Sequence, residues 1–183
     1  LRRCRPHRND GIKNPKARTV TDLVRSAEQE SLFRGLEIRP GRPDDVATLR
    51  EIECTVFDLE QLTAPSFRRY MTLAGADLLV ATRDGDLIGY GILSYRRGSA
   101  RGRLISLAVA TYGTGRGIGT ALLLALHARA RDRGMKTIRL EVRRDNLAAI
   151  RLYDRAGYAK IGEKPAYYAD FCDAIVMEHR LAR

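Results

Sequence analysis

The segment Gly113-Thr114-Gly115-Arg116-Gly117-Ile118-Gly119 places four glycines in seven residues, between an apolar run ending near Ala110 and a helical pattern beginning near Gly117. The position matters. The first turn of a helix offers unpaired N–H groups and a partial positive charge, and glycines let a backbone come close to a phosphate. A diphosphate fits such a turn. The Lys-Ser/Thr pair that closes a nucleoside-triphosphate loop is missing, and the spacing is not the Gly-x-Gly-x-x-Gly of a repeated βαβ unit. On the glycines alone, a flexible connection and a phosphate cradle are equally good readings.

Other side chains with chemical potential lie further along. Thr137 to Arg143 alternates as a strand, with Glu141 on one face beside Thr137, Arg139 and Arg143, and Ile138, Leu140 and Val142 on the other. Read alone, Glu141 is a surface carboxylate paired with the arginines two residues to either side, which would keep its pKa low and weaken it as a base. Tyr153 shares a helix face with Leu147 and Ile150, the setting of a packed aromatic with its hydroxyl at the edge. His7, His127 and His179 have no ligand spacing, and Cys4, Cys54 and Cys172 form neither a metal set nor a redox pair. No metal site and no cysteine nucleophile are expected.

The elements that must position these residues follow from periodicity and breakers. Leu36-Glu37-Ile38-Arg39 alternates as a strand and stops at Pro40-Gly41. Pro43-Asp44-Asp45 opens a helix with Val46, Leu49 and Ile52 on one side, and a loop from Asp58 to Pro65 leads to a short helix through Phe67, Tyr70 and Met71. Strands are predicted over Asp77 to Thr82, Leu87 to Tyr95 and Arg103 to Ala110, the first two joined by Asp84-Gly85, a strong hairpin signal. The helix after the glycine segment runs to about Arg133 and contains Ala121 to Leu126, apolar all round and so expected to be buried. A strand over Thr137 to Arg143, a helix over Asn146 to Ala156 and strands over Tyr158 to Glu163 and Asp173 to Arg180 complete the chain. This order argues for a mixed sheet with helices on its faces.

Leu104-Ile105-Ser106-Leu107-Ala108-Val109, followed by Thr114-Gly115-Arg116-Gly117-Ile118-Gly119-Thr120-Ala121-Leu122-Leu123, resembles the acetyl-CoA segment of the GNAT N-acetyltransferases, whose pattern is Arg/Gln-x-x-Gly-x-Gly/Ala. Thr114 stands where Arg or Gln is usual; the backbone donors of residues 115 to 120 do not depend on it. Within the family the sequence looks most like the bacterial ribosomal-protein alanine N-acetyltransferases. Leu140-Glu141-Val142-Arg143-Arg144-Asp145-Asn146, running on through Leu147 to Tyr153, carries that likeness, with Ala156-Gly157-Tyr158, Tyr167-Tyr168 and Asp173 to Met177. It covers about Leu36 to Leu181.

The resemblance implies an α/β (α+β) GNAT fold over residues 36–183, with a mixed, mostly antiparallel central sheet of about seven strands and helices on both faces. It implies acetyl-CoA as cosubstrate. Leu107, Ala108 and Val109 would hold the thioester and pantetheine by backbone pairing, Thr114, Gly115, Arg116, Gly117, Ile118, Gly119 and Thr120 would surround the diphosphate, and Asn146 and Tyr153 would lie along the pantetheine arm. By the same resemblance Glu141 is the general base, acting through water, and Tyr153 the acid near the coenzyme sulfur. Tyr167, Tyr168 and Leu59, in the loop from Asp58 to Thr63 and its neighbour, would meet the acceptor. That acceptor is a primary amine, first among candidates a protein or peptide N-terminal α-amine. Lysine or a small-molecule amine, and a weakly catalytic acetyl-CoA-binding module, are the alternatives.

Composition sets the remaining bounds. Of 183 residues 44% are hydrophobic and 30% charged, an ordinary globular balance and enough chain for one domain. The longest apolar run is far below the roughly 20 residues that span a bilayer, so no membrane partner is expected. The start, Leu1-Arg2-Arg3, shows no apolar core of a secretory signal, and unpaired cysteines fit a cytoplasmic setting. Six of the eleven net positive charges fall in residues 1–18, where Arg2, Arg3, Arg5, Arg8, Lys13, Lys16 and Arg18 face Asp10 alone. Residues 1–35 therefore read as a basic flexible arm, either a solvated tail or a tether to RNA or the ribosome. The oligomeric state stays open.

Overall fold

The structure is a computed structural model and describes residues 35–114 and 117–182. The basic arm over residues 1–35 lies outside the described residues, Gly35 apart.

The alternation at Leu36 becomes β1 (Leu36–Pro40), and a 3-10 turn at Pro43–Asp45 leads into α1 (Val46–Val56). Thr63 caps α2 (Ala64–Thr72), its Oγ1 accepting from the Ser66 amide. Strands β2 (Ala76–Arg83) and β3 (Asp86–Tyr95) are joined by Asp84 and Gly85, both at positive φ (52° and 94°) as a type I′ hairpin turn requires. After β4 (Arg101–Val109) come a 3-10 turn at Thr111–Gly113, then α3 (Ile118–Asp132), β5 (Thr137–Arg143), α4 (Leu147–Arg155), β6 (Ala159–Lys164) and β7 (Ala174–Arg180). No helix among the described residues is long and apolar enough to cross a membrane.

The seven strands form one sheet in the order β1-β2-β3-β4-β5-β7-β6, antiparallel at every neighbour except β4 with β5. This is the mixed, mostly antiparallel seven-stranded sheet that the sequence leads one to expect. Alternation sends each strand's apolar residues to two cores. Helices α1 and α2 close one face, with Leu49, Ile52 and Phe67 against Leu78, Val80, Tyr90 and Ile92. Helix α3 closes the other, with Leu122, Leu123 and Leu126 against Leu79, Leu93, Leu104 and Ile138, each buried leucine contributing about 1.5–3 kcal/mol. The run Ala121 to Leu126 is not buried all round: Leu124 is 54% exposed, because a helix lying on one sheet face turns one side to solvent.

Two features of the sheet position the site. Strands β4 and β5 pair only over Arg101↔Thr137, Gly102↔Ile138 and Arg103↔Arg139, and beyond that point they part. A β-bulge lies at the same place: β3 pairs Leu93 with Leu104 and Ile92 with Ser106, leaving Ile105 as the extra residue. The backbone groups of β4 that point away from β3 past Leu104 therefore have no strand partner among the described residues.

The far end of α3 is anchored by Asp77 on β2. Its carboxylate accepts from Arg133 (2.9 and 3.0 Å), Arg129 (3.2 Å) and the Tyr95 hydroxyl (2.7 Å). Burial pulls its pKa up, but the bonds from Arg133, Tyr95 and Arg129 outweigh it and hold the carboxyl below its ordinary value. A depressed pKa stabilises the fold above the unfolded carboxylate's pKa of about 4 and loses that contribution as pH falls through the lower folded value. Both arginines are partly exposed, which limits the gain. Asp77→Asn should cost about 1–3 kcal/mol at neutral pH, with the gap to the wild type narrowing below about pH 4, as read by urea denaturation at the two pH values.

Candidate functional site

Where β4 and β5 part, a cavity of about 510 Å³ opens. Ile105, Ser106 and Leu107 of β4 line one wall, and Glu141, Val142 and Arg143 of β5 the other. Glu53 and Val56 of α1, residues of the α1–α2 loop, Asn146, Ala149 and Tyr153 at α4, and Tyr168 and Asp170 of the β6–β7 loop complete it. Glu141, Tyr153, Asn146, Leu107, Leu59 and Tyr168 are thus brought to one cavity from five regions of the chain.

Glu141 is held by two cations. Its Oε1 accepts from Lys164 Nζ at 2.7 Å and its Oε2 from Arg103 Nε at 3.0 Å. Burial raises its pKa, but Lys164 and Arg103 together more than offset this and leave it below the ordinary carboxylate value. A low pKa is the expected direction, but Arg139 and Arg143 are not its cause. Arg139 pairs with Glu178, its neighbour across the β5–β7 register, and Arg143 with Asp145 and Asp170. For Arg139, the carboxylate directly opposite on β7 is closer than one two residues along its own strand.

Tyr153 is 7% exposed, its ring 5.6 Å from that of Tyr158. Tyr158 is fixed in turn by His127, whose Nε2 lies 2.9 Å from the Tyr158 hydroxyl and whose ring stacks on His179. Burial, then His179 and Arg131, push His127 down to about 4, so the anchor is neutral at physiological pH. Among the described residues the Tyr153 hydroxyl has no hydrogen-bond partner. Burial, then Tyr168, raise its pKa above the ordinary value, so it keeps its proton and faces the cavity as a donor. Leu147, expected to share Tyr153's packed face, is exposed instead. Asn146 caps α4, its Oδ1 accepting from the Ala149 amide at 3.0 Å, which leaves its amide nitrogen for the cavity.

Of the glycine turn, the described residues Gly113, Thr114 and Gly117 to Thr120 are not among those that line the cavity. Gly115 and Arg116 are outside the described residues. Thr114 donates its hydroxyl to the Thr111 carbonyl at 2.8 Å and so serves the turn itself. Gly117 caps α3 at φ 73°, a left-handed conformation that glycine adopts without strain. The first helical bond runs from the Ala121 amide to the Gly117 carbonyl, so among the described residues the amides of Ile118, Gly119 and Thr120 are the unpaired donors of a helix start. Ile118 is buried, Gly119 packs toward Leu152 of α4, and Thr120 is exposed. On β4, Leu107 reaches the cavity, Ala108 packs on the α1–α2 side and Val109 on the α3 side.

Two loops form the outer rim. Glu60 (φ 57°) in the α1–α2 loop, and Ala166 (φ 47°) and Phe171 (φ 63°) in the β6–β7 loop, hold left-handed conformations that cost non-glycine residues about 1–3 kcal/mol each. Glu60 Oε1 accepts from the Ala169 amide at 3.2 Å and ties the loops together. Tyr168 lines the cavity under the Arg143 guanidinium, 5.0 Å from its ring. Tyr167 is not part of the lining. Its hydroxyl accepts from Arg103 at 3.0 Å and its ring receives Lys164 at 4.7 Å, so it buttresses both cations that hold Glu141. No group of His, Cys, Asp and Glu among the described residues is arranged to hold a metal ion.

Residues 46–158 match the acetyltransferase (GNAT) family. The chain belongs to that family. Among solved structures, this GNAT chain is similar to the ribosomal-protein-S18-alanine N-acetyltransferase of Escherichia coli, at 25% identity and TM-score 0.72 over 81% of this chain and 95% of that one. It is similar to Ard1 of Thermoplasma volcanium at 28% identity and TM-score 0.74, over 81% and 99%. It also shares its fold with yncA of Salmonella typhimurium, solved with its cofactor acetyl-CoA, at 22% identity and TM-score 0.70 over 82% and 96%.

The activity of this GNAT protein is acetyl-CoA-dependent acyl transfer, and its residues suit that cosubstrate. Unpaired amides at the start of α3 suit a diphosphate, and the unpaired edge of β4 suits the amides of an extended pantetheine. Acetyl-CoA supplies an activated thioester. Four site residues escaped the sequence reading: Arg103, Lys164, Glu53 and Ser106. Glu53 carries the one available signal, a glutamate on the apolar stripe of α1. Replacing Tyr153 by Phe should lower kcat by about 10- to 100-fold with the Kd for acetyl-CoA unchanged, as checked by thiol release and a binding titration.

Proposed function

We propose that this enzyme acetylates the α-amine of a protein or peptide N-terminus. The observation that carries the reading is Glu141, held ionised by Lys164 and Arg103 in the same cavity as Tyr153. A carboxylate so held takes protons poorly, which favours an acceptor that is easily made neutral. An α-amine, with a pKa near 8 against about 10.4 for lysine, has roughly a hundredfold more of the neutral form at pH 7. The cavity rim supports the same reading, since two bridged loops leave room for the end of a chain. The Escherichia coli relative's action on an alanine of a ribosomal protein points in the same direction.

In this reading Glu141 draws the acceptor nitrogen, through water, into line, and Tyr153 donates to the leaving sulfur. Leu59 and Tyr168 contact the first acceptor residues, with Tyr167 behind them. The start of α3 would hold the diphosphate of acetyl-CoA, and β4 and Asn146 its pantetheine. The basic residues of 1–18 bring the enzyme to a polyanion such as the ribosome, in the cytoplasm where new N-termini emerge.

Two measurements test this. Mass spectrometry after incubation with acetyl-CoA should find acetyl groups on peptide α-amines at rates at least about tenfold above those on the lysine of an N-blocked peptide; equal rates, or products from small amines alone, contradict it. Deleting residues 1–18 should leave turnover on peptides unchanged and weaken ribosome retention in a salt-dependent way, as read by co-sedimentation.

A further inference from the structure

A second carboxylate reaches the cavity from the opposite side. Glu53 is 2% exposed, near the end of α1. Its Oε1 accepts from the Leu62 amide at 2.7 Å, and its Oε2 accepts from the hydroxyl of Tyr90, a fully buried residue of β3. The Tyr90 hydroxyl lies 3.0 Å from Ser106 Oγ, and Ser106 lines the cavity on β4 beside Leu107. An unbroken row of Ser106 Oγ, Tyr90 Oη and Glu53 Oε2 thus runs from the cavity into the core.

The surroundings of Glu53 differ from those of Glu141. The cation that acts on it is Arg50 of the same helix, whose guanidinium is given to the Leu62 carbonyl and the Cys54 sulfur. Tyr90 faces it from β3, and Asp58, Glu60 and Glu141 share the cavity. Burial dominates and raises its pKa above the ordinary carboxylate value, against the smaller opposing effects of the Leu62 amide, Tyr90 and Arg50. Of the two carboxylates, Glu53 is the better proton acceptor.

We propose that Ser106 touches the acceptor ammonium and that Glu53, acting through Tyr90, takes its proton. The inference rests on the acetyl-transfer reading above. An N–H bond of the ammonium breaks as an O–H bond forms on Ser106. Ser106 passes its own proton to Tyr90, and Tyr90 its own to Glu53 Oε2. One ammonium and one carboxylate become one amine and one carboxylic acid. The freed lone pair forms the amide as the thioester C–S bond breaks, the second proton leaving nitrogen for sulfur by way of Tyr153. Glu53 returns its proton to water along the same row after the product leaves.

The test measures thiol release by the full chain with acetyl-CoA and an α-amine peptide, across about pH 5.5 to 9, for the wild type, Glu53→Gln, Tyr90→Phe, Ser106→Ala and Ser106→Thr. Glu53→Gln should lower kcat about 100-fold, leave the KM for acetyl-CoA unchanged and remove the acid limb of kcat. Ser106→Ala should cause a similar loss, Ser106→Thr should restore activity, and the Glu53→Gln, Ser106→Ala double variant should be no worse than either single one. Ser106→Ala removes one hydroxyl from the cavity wall and leaves the core intact, so it decides even where the Glu53 variant folds poorly. Wild-type kcat and pH profile in Ser106→Ala, or losses that multiply in the double variant, overturn the relay. A wild-type enzyme that releases no thiol with any amine overturns the acetyl-transfer reading and the relay together.

Discussion

The parting of β4 from β5 after three paired residues is the constraint on which the site depends. A parallel pair that continued to Val109 and Arg143 would satisfy its own backbone and leave no room between the strands. By separating, the strands leave peptide groups on β4 that an extended ligand must satisfy, because polar backbone taken from water without a partner is costly. The bulge at Ile105 turns β4 at that point, and the crossover through α3 brings an unpaired helix start to the end of the same strand. Chain geometry thus supplies most of the coenzyme recognition along β4.

Two of the cavity's carboxylates, Glu141 and Glu53, have opposite protonation behaviour. Glu141 meets a lysine and an arginine braced by Tyr167, and is held as an anion. Glu53 meets an amide, a tyrosine and the apolar packing of α1, and is more easily protonated. Environment, not residue type, divides the roles. Tyr153 completes the set as a buried hydroxyl that keeps its proton and has a cavity on one side and the Tyr158–His127 anchor on the other.

Much of this was legible in the sequence because it depends on local rules. Alternation at Thr137 to Arg143 gave the strand and the side on which Glu141 stands, Asp84-Gly85 gave the hairpin, and the glycine segment gave the start of α3 near Gly117. What could not be read depends on register between distant segments. Lys164 and Arg103 reach Glu141 across separations of 23 and 38 residues, and Tyr90 reaches Glu53 across 37. A one-residue slip would turn each of these side chains to the other face, and no pattern in a single segment encodes that. The same limit explains why Arg139 and Arg143 looked like partners of Glu141, and why Leu124 looked buried.

The cleft is also a seam. Strands β1 to β4 form a meander of consecutive antiparallel neighbours, β5 to β7 form a second local group, and between the groups the sheet is joined by the short β4–β5 ladder. Reactive groups divide along this line, with Ser106 and Glu53 on one side and Glu141 and Tyr153 on the other. Their alignment is therefore set by how the two groups dock, so slight loosening of the seam misaligns the chemistry while each group keeps its internal hydrogen bonds. Catalysis in this fold is a more sensitive gauge of docking than any measure of secondary structure.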